Sequence, residues 1–339
     1  MKDLHYLTDS YDKGIKRILE IDAPLNFIFM TDQHNGMNEM GARYKNPENP
    51  GPYERASDAI DSMQYIIDRC RNISMAICGG DIGDDYHPDI EKVREYHRDV
   101  MDAFYRLSVP THCCLGSHDD AIGVAYDRGW DTRVHVIPPE ELHEICMKYN
   151  PTPENYYYID VDTSEGGYRM IFMNTSDKPY CEDVTGRCPY GWRQEISEKQ
   201  IQWLEEDALQ TDRWILLFGH APIHNGKLFG TGGPPTYMTP TSDVVNGSRV
   251  YQAVKQRKNV IATFFGHLHY DNLYSDDDLL TVTTLCSLVQ EGVPGRPKRT
   301  YGTPTETAFD VFSIKDGVLY ATRFGAGEDR CITLPRMSL

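Results

Sequence analysis

No run of about 18 apolar residues occurs anywhere in the 339-residue chain, so no membrane-spanning helix is expected. The opening Met1-Lys2-Asp3-Leu4-His5-Tyr6 has neither the apolar stretch nor the small-residue cleavage site of a secretory signal, which points to a soluble, cytoplasmic protein. Basic clusters are missing as well. The formal charge is 34 − 51 = −17, a field that repels nucleic acid and anionic membranes, so neither is expected as a partner. No CxxC pair occurs among the nine cysteines. Cys70, Cys78 and Cys286 lie in apolar stretches and read as reduced core thiols, with Cys181 and Cys188 the pair open to a disulfide or metal role. Internal repeats and low-complexity linkers are also absent.

What is present is an alternation of short apolar runs with amphipathic stretches. Strands are expected at 25–30, 75–78, 110–115, 156–161, 169–174, 214–218, 260–265 and 279–285. Helices are expected at 53–71, 89–107, 197–209 and 249–256, with Ser197 three residues before Gln200 as a capping box. A final pair of strands, 308–314 and 318–324, is joined by Lys315-Asp316-Gly317, a hairpin turn signal. Three long irregular segments, 33–52, 176–196 and 224–247, read as lids or surface decoration. The pattern implies one domain over 1–339, with an N-terminal extension at about 1–24 and a C-terminal β-hairpin at about 308–325.

Chemistry concentrates where the expected strands end. The first strand runs into Asp32-Gln33-His34, and the second into Gly80-Asp81 with Asp84 three residues on. The third ends in Gly116-Ser117-His118-Asp119. Two later strands end in Gly219-His220 and Gly266-His267-Leu268-His269. One edge of an open α/β sheet is where such folds place their ligand crevices. Glycine before the polar residue in four of these five segments lets the backbone approach an ion closely. Asp32/His34 and His267/His269 have i, i+2 spacing, which on a continuing strand would set both side chains on one face. Carboxylates mixed with imidazoles suit Zn, Mn, Fe or Co better than Ca or Mg.

In order, these motifs read D-x-H, G-D-x-x-D, G-S-H-D, G-H and G-H-x-H over residues 32–269. The set resembles the calcineurin-like metallophosphoesterases. That resemblance implies an α/β fold of two packed mixed β-sheets flanked by helices, a four-layer αββα arrangement. It also implies two divalent metal ions, with Mn, Fe or Zn expected. Asp32, His34 and His269 would hold the first, Asp81 would bridge, and His220 and His267 would hold the second together with the position of Ser117. His118 would protonate the leaving oxygen or stabilise charge near it, oriented by Asp84.

Independently of the family, two cations close together clamp a phosphoryl group and supply a bridging hydroxide near neutral pH. A carboxylate-held histidine can then protonate the leaving alkoxide. Ser117 departs from the family's usual Asn, a ligand with longer reach, so a weaker second site is expected. Asn35 and His224 are the candidate substrate contacts, with Arg128, Trp130 and Arg133 in the insertion after His118 open to holding an anionic group or to solvation. His87, His112, His135 and His143 read as surface or structural residues, and Asp276-Asp277-Asp278 as an acidic turn.

The expected function is metal-dependent hydrolysis of a small-molecule phosphomonoester or phosphodiester. The alternatives are a hydrolase or lyase acting on a non-phosphate substrate through an altered second site, and a non-catalytic metal-binding protein.

Overall fold

The computed structural model describes residues 5–36, 56–177, 191–223, 228, 244–288, 296–300 and 302–337. Chain order begins with α1 (His5–Ile21), β1 (Leu25–Met30), α2 (Ala56–Arg69), β2 (Ile73–Cys78), α3 (Ile90–Arg106) and β3 (Thr111–Cys113). Two short helices, α4 (Ile122–Arg128) and α5 (Pro139–Cys146), precede the pair β4 (Tyr157–Thr163) and β5 (Gly166–Phe172). Then come α6 (Glu198–Trp203), continued by a π-helical turn at Leu204–Ala208, β6 (Trp214–Phe218), α7 (Gly247–Gln256) and β7 (Val260–Phe265). The chain closes with β8 (Asn272–Asp276), β9 (Leu279–Thr283), β10 (Ala308–Lys315), β11 (Val318–Gly325) and β12 (Arg330–Thr333).

The strands form two six-stranded mixed sheets, ordered β12-β11-β10-β1-β2-β3 and β4-β5-β6-β7-β9-β8. Within the first, β1, β2 and β3 run parallel, while β10 lies antiparallel to β1. Within the second, β5, β6, β7 and β9 run parallel. Strands β1 and β7 are buried along their whole length, as expected of parallel strands covered on both faces.

Aromatic packing joins the sheets. The Phe27 ring on β1 stands edge-on to Phe218 of β6 and Phe264 of β7, with centroids 5.5 and 5.6 Å apart. Phe264 in turn meets Phe312 of β10 at 5.0 Å. Each such pair adds about 0.5–1.5 kcal/mol beyond its buried area. The αββα fold class expected from the resemblance is therefore the one observed, with two mixed sheets flanked by helices.

Local signals hold where they are strong. Ser197 caps α6 by accepting the Gln200 N–H at 3.2 Å. Asp89 caps α3 by accepting from Glu91 N–H at 3.0 Å. Asp316 and Gly317 both adopt positive φ, at 51° and 71°, and turn β10 into β11. Asp277, at φ 57°, turns β8 into β9 inside the acidic triplet.

Residues 1–24, expected as an extension, contain a helix with a buried face of Leu7, Tyr11, Ile15 and Ile18. Tyr11 sits edge-on to Phe309 and Phe324 of the β10–β11 hairpin and hydrogen-bonds Ser62 of α2 at 2.8 Å. Gly14 is the point of closest approach, since a Cβ there would stand 2.6 Å from the Phe324 ring. Among the described residues no helix is long and apolar enough to cross a membrane. Cysteines 70, 78, 113, 114, 146 and 286 are buried free thiols; Cys181 and Cys188 lie outside the described residues.

Candidate metal centre

Strands β1, β2, β3, β6 and β7 all end at one edge of the paired sheets, and their following loops are tied together by backbone bonds. Asp32 N–H donates to the Gly80 carbonyl at 2.9 Å, His34 N–H to Asp81 at 3.0 Å, and Gly266 N–H to His220 at 3.0 Å. The ligand pairs are not on continuing strands, as their spacing had implied. β1 stops at Met30 and β7 at Phe265, and Asp32, His34, Asp81, His267 and His269 adopt left-handed backbone with φ between 43° and 64°. They are five of the nine non-glycine residues with positive φ among those described. Such backbone is costly for residues with a Cβ and clusters at functional sites. The curling loops, rather than the pleat, aim these side chains at a common point.

The glycines before them make the approach possible. A Cβ on Gly116 would lie 2.2 Å from Asp81 Oδ1, and one on Gly266 2.5 Å from Asp32 Oδ2.

Two donor sets converge. In the first, His269 Nε2 lies 3.1 Å from Asp32 Oδ1 and 3.3 Å from His34 Nε2. In the second, His220 Nε2 lies 3.0 Å from Asp81 Oδ2 and 3.2 Å from His267 Nδ1. Asp81 Oδ2 also stands 3.8 Å from His34 Nε2, which places this carboxylate between the sets. In each set the ligand atoms lie within 4.8 Å of one another, and so do those of His34, Asp81 and His118. Asp32 and His34 come from the first sheet and His269 from the second; Asp81 comes from the first, His220 and His267 from the second.

The support around these atoms fixes their chemistry. His220 Nδ1–H donates to the Gly79 carbonyl at 2.8 Å, leaving the Nε2 lone pair facing inward. Thr31 Oγ1 donates to Asp32 Oδ2 at 2.7 Å, and His267 N–H reaches both Asp32 oxygens at 3.1 Å. His118 N–H donates to Asp81 Oδ1 at 2.9 Å. Asp271, two residues past His269, is clamped by Arg323 at 2.7 Å and Arg330 at 2.8 Å, and both arginines also grip the buried Asp310.

Burial opposes charge on Asp32 and Asp81. The neighbouring histidines outweigh it, lowering Asp32 to about 2 and Asp81 well below the usual carboxylate range. Burial lowers His34 to about 3, and burial with the nearby His220 lowers His267 to about 4. At His220 burial is outweighed chiefly by Asp81, and at His269 by Cys286 and Asp32, so both are raised to about 9; buried carboxylates beside imidazoles are the oxygen and nitrogen donors a divalent cation takes as it displaces such protons. The residues present fit two such ions.

Ser117 is buried beside Asp81, its Oγ 3.3 and 3.4 Å from the two carboxylate oxygens. His118 Nδ1 lies 2.7 Å from Asp85 Oδ1. The expectation that Asp84 orients His118 is thus corrected by one residue, because the loop turns the Asp85 carboxylate toward the imidazole. Asp84 is fully buried nearby, and burial followed by the Asp85 charge pushes it up to about 7. Burial works against charge on His118 too, but Asp85, Asp81 and Asp84 outweigh it and raise it to about 10.

Asn35, expected as a substrate contact, is buried with its amide bonded to backbone on both sides. Its Nδ2 donates to the Tyr96 carbonyl at 3.1 Å, and its Oδ1 accepts from Ala56 N–H at 3.4 Å. His224 lies outside the described residues. His87 is half-buried and accepts from Asp89 N–H at 3.0 Å, before α3. Arg133 pairs with Asp131 on the surface, and Trp130 packs on His135.

Asp119 closes the G-S-H-D motif but has no role that its residue type or spacing suggests. Its carboxylate accepts N–H bonds from Gly116 at 2.6 Å, Ile82 at 2.8 Å and Asp81 at 3.2 Å, and meets His97 Nε2 at 3.1 Å. The available signal was its position directly after His118.

The calcineurin-like phosphoesterase family model matches residues 25–271, and the chain belongs to that family. Its class is therefore that of the metallophosphoesterases, enzymes that hydrolyse phosphoesters with metal ions. Among solved structures, a dimetal phosphatase from Danio rerio is similar at 16% identity and a TM-score of 0.61, covering 92% of this chain and 100% of that one. A purple acid phosphatase from yellow lupin is similar at 13% identity and a TM-score of 0.51, covering 93% of this chain and 55% of that one. GAP50 of Plasmodium, described as an anchor in the inner membrane complex, is similar at 11% identity and a TM-score of 0.51, covering 92% of this chain and 89% of that one. At these identities the likeness concerns the fold, which hosts more than one role. Comparison with curated proteins returns no match.

Proposed function

We propose that this chain hydrolyses a phosphomonoester or phosphodiester of a small molecule at a dinuclear metal centre. The observation that carries the reading is the convergence of Asp32/His34/His269 and Asp81/His220/His267 on either side of one carboxylate, with His118 alongside. Two divalent ions, Mn, Fe or Zn, would supply charge neutralisation at the phosphoryl oxygens and activation of water. Asp32, His34 and His269 would hold one and His220 and His267 the other, with Asp81 shared and Ser117 in support.

The remaining work falls to the chain itself. His118, charged and held through Nδ1 by Asp85, gives the proton from its other nitrogen to the leaving oxygen. Asp119 keeps the loops of Asp81 and His118 in register. A net charge of −17 favours a small substrate over a polyanion, and a cytoplasmic enzyme with no nucleic-acid or membrane partner is in keeping with it.

A second reading, a hydrolase or lyase acting on a non-phosphate bond, is favoured by one observation. Ser117 is shorter than the family's Asn, so the second ion would have a vacant position.

The test is turnover of p-nitrophenyl phosphate and bis(p-nitrophenyl) phosphate by metal-stripped protein reloaded with Mn, Zn or Fe(II), beside His118→Ala. Activity restored by metal on both esters is expected, with His118→Ala losing turnover of an alkyl ester such as n-butyl phosphate far more than of the p-nitrophenyl esters and both metals still bound. No turnover of either ester with two metals bound would sink the phosphoesterase reading in favour of the second.

A further inference from the structure

The His118 imidazole is surrounded by Asp85, His34, Trp192 and, further off, the Tyr86 ring, whose centroid lies 6.2 Å away. Asp85 meets Nδ1 at 2.7 Å. The His34 ring stands edge-on, centroids 4.9 Å apart at 82°. On another side is Trp192, whose ring centroid lies 4.7 Å away at 62°.

Trp192 is itself seated. Its Nε1–H donates to Asp127 Oδ2 at 2.7 Å. Its six-membered ring lies over Gly123, where a Cβ would stand 2.4, 2.5 and 2.7 Å from Cε3, Cδ2 and Cζ3. Gly123 and Asp127 both belong to α4, and the residue that opens α4, Ala121, donates its N–H to the His118 carbonyl at 3.1 Å. One short stretch of chain thus carries the His118 backbone and the seat for the ring beside its imidazole.

A single hydrogen bond at Nδ1 fixes one point of an imidazole and still tolerates small swings of its two side-chain torsions. An aromatic ring packed on the imidazole at this spacing and tilt narrows that freedom, because edge-to-face contacts have a preferred geometry. We propose that Trp192 is a positioning residue for His118. The indole, locked by Gly123 and Asp127, holds the imidazole so that its second nitrogen faces the leaving oxygen. This rests on the phosphoesterase reading above.

The test uses leaving groups of different basicity. An alkoxide needs the proton as it departs, whereas p-nitrophenolate leaves without one. The metal-loaded full chain is assayed on n-butyl phosphate and p-nitrophenyl phosphate as wild type, Trp192→Leu, Trp192→Phe and Gly123→Ala. Trp192→Leu is expected to lower kcat on n-butyl phosphate about tenfold or more and on p-nitrophenyl phosphate less than about threefold, with KM little changed. Trp192→Phe keeps a ring and restores most of the loss. Gly123→Ala, which drives the indole off its seat, reproduces the loss with Trp192 intact.

Equal losses on both esters, or no loss from either substitution, overturn the proposal. Metal content and thermal midpoints show that each variant is folded. If Trp192→Leu does not fold, Gly123→Ala carries the comparison alone. A metal-loaded wild type that cleaves neither ester overturns the phosphoesterase reading itself. That result differs from a wild type that cleaves both while the variants lose no selectivity.

Discussion

Asp85 Oδ1 stands 2.7 Å from His118 Nδ1, and this contact, one residue beyond the aspartate of the motif, sets the charge on the imidazole. Asp85→Asn keeps an acceptor and removes the charge. The carboxylates hold His118 up at about 10 against burial, so losing Asp85 lowers it. The protonated donor is then lost at lower pH, and the alkaline limb of the kcat profile moves down. Turnover of an alkyl phosphate should fall about tenfold or more. Asp84→Asn should do less, since Asp84 is pushed to about 7 and is only partly charged near neutrality. pH–rate profiles of the two variants check this; an unshifted Asp85→Asn profile rejects the assignment.

Ser117→Asn should tighten the second ion. Ser117 Oγ reaches Asp81 at 3.3 Å, and Asn carries its carbonyl one bond further. Metal titration of both proteins followed by calorimetry measures the difference. About a tenfold gain at one of two sites is expected, of the size seen when groups around a metal are changed. Identical affinities would rule the idea out.

Asp119→Ala leaves three loop N–H groups and His97 without their acceptor. A loss of about 3 kcal/mol or more follows from stranding buried donors of a charged acceptor. Denaturant unfolding should show a lower midpoint with an unchanged slope. A loss under about 1 kcal/mol would mean that the loops hold themselves in register.

His112 links stability to acid. It stacks on Phe172 at 4.9 Å, bonds the Tyr157 hydroxyl at 3.0 Å, and is lowered by burial to about 4. Its folded value lies below its unfolded one of about 6.5, so the unfolded chain binds the extra proton first. The stabilising effect is full above about 6.5 and fades as pH falls toward 4, up to about 3 kcal/mol. His112→Phe should flatten that part of the stability profile. Parallel profiles for wild type and variant would show that His112 does not titrate on unfolding.

Residue order alone carried the donor set, because each ligand follows a short apolar run whose strand character is plain. Strands 214–218 and 260–265 form where expected, and the Asp316-Gly317 turn is where its chemistry demands positive φ. What escaped has physical causes. Leu7, Tyr11, Ile15 and Ile18 carry a helical period, but polar residues between them disguise α1 as a tail. β8 and β12 are short edge strands with mixed burial and little apolar signal. Asp84 and Asp85 are identical in type, so only the path of the loop decides which one meets His118. Asn35 lies beside a ligand in sequence, yet the left-handed turn at His34 sends its amide toward α3.

Because each donor set draws on both sheets, a bound ion would act as a rivet through two plates. The seam between β1 and β7 is otherwise held by dispersion between rings such as Phe27 and Phe264 and by a few hydrogen bonds beside the site, those of His267 N–H to Asp32 and of His220 to the Gly79 carbonyl among them. Chelation would then loosen the molecule along one line before anywhere else. Amide exchange should quicken first in the loops after β1 and β7, while the β10–β11 hairpin and α1 keep their protection. The centre that would carry out the chemistry would also be the bolt that keeps the two halves of the fold aligned.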